Sequence, residues 1–146
     1  AFVEQHDLVS CITFLGWLDA KPLENTLMEN DIFVLPSYAE GLPNAMVEAM
    51  AAGLATIVTS VGLIPDYIVH EKHALLIRPK DTKCLETAMR ELIIDKDLRK
   101  DIAKNGHELA KTSFSTDGSL QQLSKVIKGS TKISPFIMLF DNFFII

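Results

Sequence analysis

Short apolar runs alternate with amphipathic segments along most of this chain. Four runs rich in apolar and β-branched residues, at 11–15, 32–36, 55–59 and 74–77, have the length and composition of buried strands. Their apolar character is continuous rather than alternating, so we expect strands that are covered on both faces, as in a parallel sheet.

Helical patterns fill the segments between and after these runs. Pro22, Pro43 and Pro65 stand where helices could begin, and residues 82–95 and 97–112 carry apolar side chains at helical spacing. The order is β-α-β-α-β, then a further strand, then two helices. It predicts an α/β fold, with an open, doubly wound parallel sheet of the Rossmann-like kind.

The segment 32–60 contains only two charged residues, Glu40 and Glu48, which are eight positions apart. Residues 43–52 begin with a proline and precede Gly53, so they are predicted to form a short helix. Because that helix is apolar nearly all round, we expect it to be buried. A buried carboxylate is costly to desolvate, so Glu48 is expected to have a partner, a cleft or a ligand.

The loops after the second and third runs are the expected binding loops, because ligands of open α/β sheets bind beyond the carboxyl ends of the strands. These loops read "SYAEGLP" at 37–43 and "SVGLIP" at 60–65. The free amides of Leu42, Asn44 and Ala45 lie at or near a predicted helix start, which suits a phosphate group.

Glu40 and Glu48 would flank that anion, so hydroxyl groups are their expected partners. Carboxylates accept hydrogen bonds from the paired hydroxyls of sugars and ribose. The pattern therefore predicts a phosphate that is held between two hydroxylated parts of one ligand.

The stretch "VLPSYAEGLPNAMVEAMAAGLATIVTSVGLIPDYI" resembles the signature region of retaining, nucleotide-sugar-dependent glycosyltransferases of the GT-B fold, in the large family 4 group. The resemblance covers roughly residues 8–116 and includes that family's E-x7-E pair of glutamates. It implies transfer of a glycosyl unit from a nucleotide sugar to an acceptor with retention of configuration. This chain would supply the donor-binding, C-terminal half, with polysaccharide biosynthesis favoured by "EGLPNA".

The same resemblance implies roles for individual residues. Glu40 is the expected catalytic residue and would bond donor-sugar hydroxyls, whereas Glu48 would bond the ribose. Backbone amides near the helix start would face the sugar and pyrophosphate, and a glycine of the opposite loop would line the site. The resemblance implies no metal, because the helix start would stabilise the departing nucleoside diphosphate. It implies no cofactor, because the UDP- or GDP-linked donor is a substrate. The implied donor-binding set is Glu40, Gly41, Leu42, Asn44, Ala45, Glu48 and Gly62.

Several positions depart from the family pattern. Leu63 stands where a second glycine is usual, and "HEKHA" at 70–74 replaces a D-G-x-x-G-type turn, which we therefore expect to be rearranged. Thr116 replaces an aromatic residue. Two upstream strand–helix units, with their phosphate-gripping basic pair, and the acceptor-binding N-terminal domain have no counterpart in this sequence. The resemblance thus implies an N-terminally truncated chain in which run 11–15 has no native partner strand.

Composition narrows the remaining possibilities. An apolar content of 48%, a charged content of 23% and a net charge of −5 without a basic run are ordinary for a globular domain and argue against nucleic-acid binding. Cys11 and Cys84 are too few for a disulfide scaffold. His70 and His73 lack further ligands at suitable spacing, so no metal site is predicted. We detect no signal peptide, so we expect a cytoplasmic location, either free or peripheral on the cytoplasmic face of a membrane.

Two units are predicted along the chain: residues 1–128 as a partial nucleotide-sugar-binding domain, and 129–146 as an atypical apolar tail. The tail could pack on the domain, contact a membrane or be non-native sequence. A glycan or lipid-linked acceptor would bind through the absent N-terminal domain. Two other functions stay open: a noncatalytic nucleotide-sugar-binding module and, less favoured, a GT-B-fold nucleotide-sugar epimerase.

Overall fold

A computed structural model of the chain describes residues 2–114. Its centre is a parallel sheet of three strands, β1 Ile32–Leu35, β2 Ala55–Thr59 and β3 Leu75–Ile77, in the order β1-β2-β3. The helices are α1 Phe2–Gln5, α2 Ala20–Met28, α3 Asn44–Ala51, α4 Ile64–Tyr67, α5 Thr82–Ile94 and α6 Lys96–Leu109, which continues into a π-helical turn, Ala110–Phe114.

The strands predicted at 32–36, 55–59 and 74–77 are confirmed, and so is the parallel α/β class. β2 is the central strand, and all five of its residues are buried. This explains its continuous apolar pattern, because both faces and both edges of β2 are covered.

Two clusters of buried side chains cover the two faces of the sheet, as the doubly wound prediction requires. On one face, Val58 of β2 packs with α3 and α4 in the cluster Met46, Met50, Val58, Ile64, Ile68, Ala74 and Ala110. On the other, β2 and β3 pack against α5 and α6 in the cluster Ala55, Ile57, Leu75, Ile77, Ala88, Leu92 and Ile102. Each large buried side chain contributes about 1.5 to 3 kcal/mol of transfer free energy.

The predicted strand at 11–15 is wrong. Residues 12–16 have no regular secondary structure, and Phe14 and Trp17 are 81% and 93% exposed. A parallel strand needs a neighbour to satisfy its backbone groups, and no described strand lies on the outer side of β1. An apolar run is therefore insufficient to make a strand here.

Polar side chains set the starts of the two long helices. The Asp81 side chain accepts a hydrogen bond from the Cys84 amide at 2.9 Å, and Asp95 accepts from the Leu98 amide at 2.9 Å. Such caps contribute about 1 kcal/mol each. Asp95 also ends α5, so the α5–α6 pair turns at a single residue.

The predicted domain ends and the apolar tail, 129–146, lie outside the described residues. Across residues 2–114, we find no helix that is both long and apolar enough to cross a membrane.

Candidate functional site

The loop between β1 and α3 holds Glu40 at the carboxyl end of the sheet. Glu40 is half-buried, and the Ser37 hydroxyl donates a 2.8 Å hydrogen bond to its Oε1. This bond fixes one carboxylate oxygen and leaves Oε2 without a partner among the described residues. Glu40 can therefore accept hydrogen bonds from a ligand in a defined direction.

Gly62, in the loop after β2, packs directly against the Glu40 loop. Its φ of +58° lies in the left-handed region that glycine adopts readily. A Cβ at this position would overlap the Glu40 carbonyl oxygen and lie 2.8 Å from the Gly41 carbonyl oxygen. The Leu63 amide also donates to the Gly41 carbonyl at 3.1 Å. The two loops at this edge of the sheet thus pack closely against each other and are joined by a backbone hydrogen bond.

The start of α3 presents unpaired backbone donors beside this loop. Pro43 is extended, with ψ at 124°, so the helix begins at Asn44. The Pro43 carbonyl accepts hydrogen bonds from Met46 and Val47 at 3.1 and 3.3 Å, whereas the amides of Asn44 and Ala45 have no acceptor among the described residues. The positive end of the helix dipole adds to these donors, so the position can bind an anion.

Glu48 is exposed, so the predicted burial of α3 all round is wrong. The helix buries Met46, Ala49 and Met50 against the sheet but leaves its opposite side open. Glu48 lies on that open side, and its carboxylate has no hydrogen bond or ion pair within residues 2–114. The carboxylate is solvated, and the expected desolvation cost does not arise.

A cavity of about 540 Å³ separates α3 from α2, and Glu48 lines it. Its other lining consists of one further carboxylate, Glu24, which is paired with Lys21 at 2.8 Å, and of apolar or small side chains: Ala20, Leu23, Leu27, Met28, Ala51 and Ala52. A carboxylate beside an apolar cavity suits a ligand that combines hydroxyl groups with a flat, weakly polar body.

The two histidines of the "HEKHA" turn accept hydrogen bonds from backbone amides and thereby stabilise the turn. The Leu76 amide donates to His70 Nδ1 at 2.9 Å, and the Val69 amide donates to His73 Nδ1 at 3.2 Å. Glu71 adopts a left-handed φ of +62°, a conformation that disfavours residues with a Cβ. Both imidazoles thus serve the backbone of the turn.

The pKa of His73 is lowered from its usual value. Partial burial disfavours the charged imidazolium most, and the Lys72 ammonium acts in the same direction. A hydrogen bond to the Tyr67 backbone offsets part of this effect. His73 is therefore held neutral near pH 7, with Nδ1 free to accept the Val69 amide.

The structure brings most of the predicted site residues together. Glu40, Gly41 and Gly62 meet where two loops cross, next to Asn44 and Ala45 at the start of α3. The Leu42 side chain packs against the buried cluster under α3, which leaves only its backbone for a ligand. Glu48 stands apart, on the side of α3 that faces α2.

Two contributors were missed from sequence. The Ser37 hydroxyl positions Glu40 from three residues upstream in the same loop, and both residues precede the helix start, so no capping pattern marks the pair. The α2 wall of the large cavity was also missed. No sequence signal identifies that wall, because it depends on how α2 lies against α3.

Comparison with known proteins identifies relatives of this arrangement. The family model "Glycosyl transferases group 1" matches residues 1–109. The chain is 31% identical over 119 residues to the putative teichuronic acid biosynthesis glycosyltransferase TuaC of Bacillus subtilis (strain 168), covering 82% of this chain and 30% of that protein. It is 34% identical over 98 residues to the sulfoquinovosyl transferase SQD2 of Arabidopsis thaliana, covering 65% of this chain and 19% of that protein. The chain thus spans a third or less of these relatives.

Solved structures agree with the family match. The C-terminal domain of a glycosyl transferase group 1 family protein, LpcC, from Francisella tularensis is 33% identical with a TM-score of 0.73, covering 79% of this chain and 60% of that one. Sucrose-phosphate synthase from Thermosynechococcus elongatus is 26% identical with a TM-score of 0.76, and the match covers 88% of this chain and 32% of that one. Anabaena HepE in complex with UDP-glucose, 21% identical with a TM-score of 0.74 over 88% of this chain and 35% of that one, shares the fold. The chain therefore belongs to the group 1 glycosyl transferases, and its sheet and helices are part of their C-terminal, GT-B-type domain.

Proposed function

We propose that this chain binds the nucleotide-sugar donor of a retaining glycosyltransferase and supplies the donor half of the transfer reaction. The observation that carries the proposal is the position of Glu40. Ser37 and Gly62 hold it at the carboxyl end of the sheet, beside the unpaired amides that begin α3. This is the edge at which open α/β sheets bind ligands.

The donor diphosphate binds at the start of α3. The amides of Asn44 and Ala45 are free, and the helix dipole favours negative charge there by about 0.3 to 1 kcal/mol. The backbone amides of Gly41 and Leu42 complete this anion site. The same donors stabilise the nucleoside diphosphate as negative charge develops on it during transfer, so the chain's own backbone performs the task without a metal.

The nucleoside part of the donor extends along α3 to Glu48. Its ribose hydroxyls donate to the exposed Glu48 carboxylate, and the base enters the apolar cavity between α2 and α3. UDP and GDP are the expected nucleotides. Structures of the related Anabaena HepE hold UDP and UDP-glucose, which supports a uridine donor for a protein of this fold.

The sugar lies on the other side of the diphosphate, against Glu40. Its hydroxyls donate to the carboxylate oxygen that Ser37 leaves free. A carboxylate close to the anomeric carbon also stabilises positive charge that develops on the sugar in the transition state. Glu40 is therefore the proposed catalytic residue.

A glycan or lipid-linked acceptor binds to parts of the enzyme beyond these 146 residues. Relatives whose names refer to teichuronic acid, colanic acid and capsular polysaccharide support a role in building surface polysaccharide, at the cytoplasmic face of a membrane. The 146 residues alone are expected to bind donor weakly and to transfer no sugar, because they supply neither an acceptor site nor a basic grip on the phosphates.

Glu48→Ala tests the proposal through nucleotide affinity. Loss of a charged hydrogen-bond pair with the ribose costs about 1.5 to 3 kcal/mol, so the Kd for UDP or GDP should rise at least about tenfold. The Kd is measured by NMR titration, which tolerates weak binding. Glu91→Ala is the matched control, because Glu91 is an exposed carboxylate on α5, away from the site.

The proposal is contradicted if wild type and Glu48→Ala bind both nucleotides equally. An assay of sugar transfer on the same wild-type sample separates donor binding without turnover from catalysis by the chain alone. Conversion of a nucleotide sugar to its epimer in that assay would favour the isomerase reading.

A further inference from the structure

A side chain of α6 holds the C-terminal end of α3. The imidazole Nδ1 of His107 lies 2.8 Å from the Ala51 carbonyl oxygen, although the two residues are 56 positions apart in sequence. A carbonyl oxygen can only accept a hydrogen bond, so Nδ1 carries the proton and donates it. Because Ala51 is the last residue of α3, this bond ties the end of that helix to a different element.

The backbone satisfies the other carbonyls in the last turn of α3. The last four carbonyls of a helix have no partner within the helix. Three of them accept hydrogen bonds from the amides of residues 52–54 at 2.9 to 3.0 Å, and these are the carbonyls of Glu48, Ala49 and Met50. No backbone amide within residues 2–114 donates to the fourth, that of Ala51. His107 therefore supplies the donor that the backbone does not provide.

The close packing of α6 against α3 brings His107 within reach of Ala51. An added Cβ at Gly106, the preceding residue, would lie 3.3 Å from Met50 Cε and 3.0 Å from the His73 carbonyl oxygen. A side chain at position 106 would therefore press α6 away from α3. The His107 ring itself is exposed, so its replacement removes no buried side chain.

Glu48 begins the turn that this hydrogen bond closes. It stands three residues before Ala51, so the two lie on the same side of the helix, and both line the cavity between α2 and α3. α3 is only eight residues long, and the ends of helices fray. Fraying of residues 48–51 would displace the Glu48 carboxylate, whereas the amides of Asn44 and Ala45 belong to the first turn and would keep their positions.

We propose that His107 is a positioning residue for the nucleoside part of the donor. By closing the last turn of α3, its Nδ1–H holds the Glu48 carboxylate where the ribose hydroxyls donate to it. His107 itself touches no substrate. The assignment rests on the proposed donor function, because His107 acts on binding only through the contact between Glu48 and the ribose.

The experiment is an NMR titration of the ¹⁵N-labelled chain with UDP and, separately, with inorganic pyrophosphate. In His107→Ala, the Kd for UDP should rise about threefold to tenfold, which corresponds to the loss of one hydrogen bond. The shift that UDP causes at the Glu48 amide should shrink, whereas the shifts at Asn44 and Ala45 should persist. The Kd for pyrophosphate should stay within about twofold, because this probe reaches only the start of the helix.

Two further variants separate the hydrogen bond from the bulk of the ring. His107→Asn should bind UDP with nearly wild-type affinity, because the asparagine Nδ2 can donate from about the position of the imidazole Nδ1. Lys104→Ala is the matched control, since Lys104 is exposed and lies one turn earlier on α6. It should change the Kd for UDP less than about twofold.

A double-mutant cycle with Glu48→Ala separates positioning from a general loss of stability. Once the Glu48 carboxylate is absent, His107→Ala should cause no further rise in the Kd for UDP. Its effect on the free energy of unfolding, measured by urea denaturation, should be the same in both backgrounds. An unchanged Kd in His107→Ala, or an equal weakening of UDP binding with and without Glu48, would overturn the proposal.

The same cycle keeps the two proposals distinguishable. If Glu48→Ala weakens UDP binding and His107→Ala does not, the positioning role fails and the donor assignment stands. If UDP binding does not depend on Glu48, the donor assignment fails first and the positioning role fails with it.

Discussion

At the scale of single residues, the contact between Gly62 and the Glu40 carbonyl does most to set the shape of the candidate site. A side chain at position 62 would overlap that carbonyl, and its φ of +58° also disfavours other residues. The position of the Glu40 carboxylate therefore depends on a glycine in a different loop. Ser37 then directs one carboxylate oxygen.

Gly62→Ala should consequently destabilise the chain and weaken nucleotide-sugar binding together. We expect a loss of about 1 to 3 kcal/mol in the free energy of unfolding, measured by urea denaturation. Gly53→Ala is the matched control. Gly53 also has a positive φ, of +84°, but an added Cβ there meets no atom within 4 Å. The Gly53 variant should lose less stability and keep its donor affinity, and equal effects of the two variants would contradict the account.

Glu40→Ala should act on the sugar rather than on the nucleotide. Affinity for the best-bound nucleotide sugar should fall about tenfold, through loss of a charged hydrogen bond, while affinity for the free nucleoside diphosphate stays within about twofold. The two affinities are compared by NMR titration, with UDP-glucose, UDP-N-acetylglucosamine and GDP-mannose as probes. Ser37→Ala should reproduce part of the effect, because it releases the carboxylate. An equal loss of affinity for sugar-linked and free nucleotide would be evidence against the assignment.

The sequence predicted the positions of the candidate site residues better than their environment. The spacing of Glu40 and Glu48 and the helix start between them could be read directly, because local patterns determine both. The exposure of Glu48 to solvent could not be predicted from the sequence, because it depends on the cavity between α2 and α3. The overlap at Gly62 likewise depends on two loops that are distant in sequence.

At the scale of elements, the helices and the three paired strands were predictable and the first strand was not. The helices starting at Asn44, Thr82 and Lys96 lie within two residues of their predicted starts, since prolines, caps and apolar spacing act locally. Run 11–15 carries an equally strong apolar signal but forms no strand. Pairing, unlike capping, requires a neighbour that the run itself does not specify.

The turn between α4 and β3 should make stability depend on pH. The pKa of His73 is lower in the folded chain than its unfolded value of 6.5, so the unfolded state binds more protons as the pH falls. The stabilisation is fully present above pH 6.5, and it is lost as the pH falls from there toward the folded pKa. Protonation also removes the acceptor for the Val69 amide.

Urea denaturation at pH 7.5 and pH 5 should therefore show lower stability at the acid pH, and His73→Gln should reduce the difference between the two values. The Lys72 ammonium contributes to the lowered pKa, so Lys72→Gln should shrink the pH dependence in the same direction. Identical pH dependence in wild type and His73→Gln would refute this role for the histidine.

At the scale of the whole molecule, the described part of the chain contains a sheet in which the outer edge of strand β1 is unpaired. Nothing within residues 2–114 pairs with the outer side of β1, and the preceding segment exposes Phe14, Leu15 and Trp17. The matched part of the chain covers 30% of the length of TuaC and 19% of the length of SQD2. We therefore predict that donor chemistry by these residues requires further protein, which would cover this sheet edge and bind the acceptor.

The central claim is that a nucleoside diphosphate binds between the Glu40 loop and the start of α3. The most direct test is to map UDP and GDP on the ¹⁵N-labelled chain by backbone amide shifts. The account predicts saturable shifts centred on Gly41, Leu42, Asn44 and Ala45, extending to Glu48 and Gly62. Shifts centred elsewhere on the sheet, or no saturable shift at millimolar concentrations of either nucleotide, would contradict it.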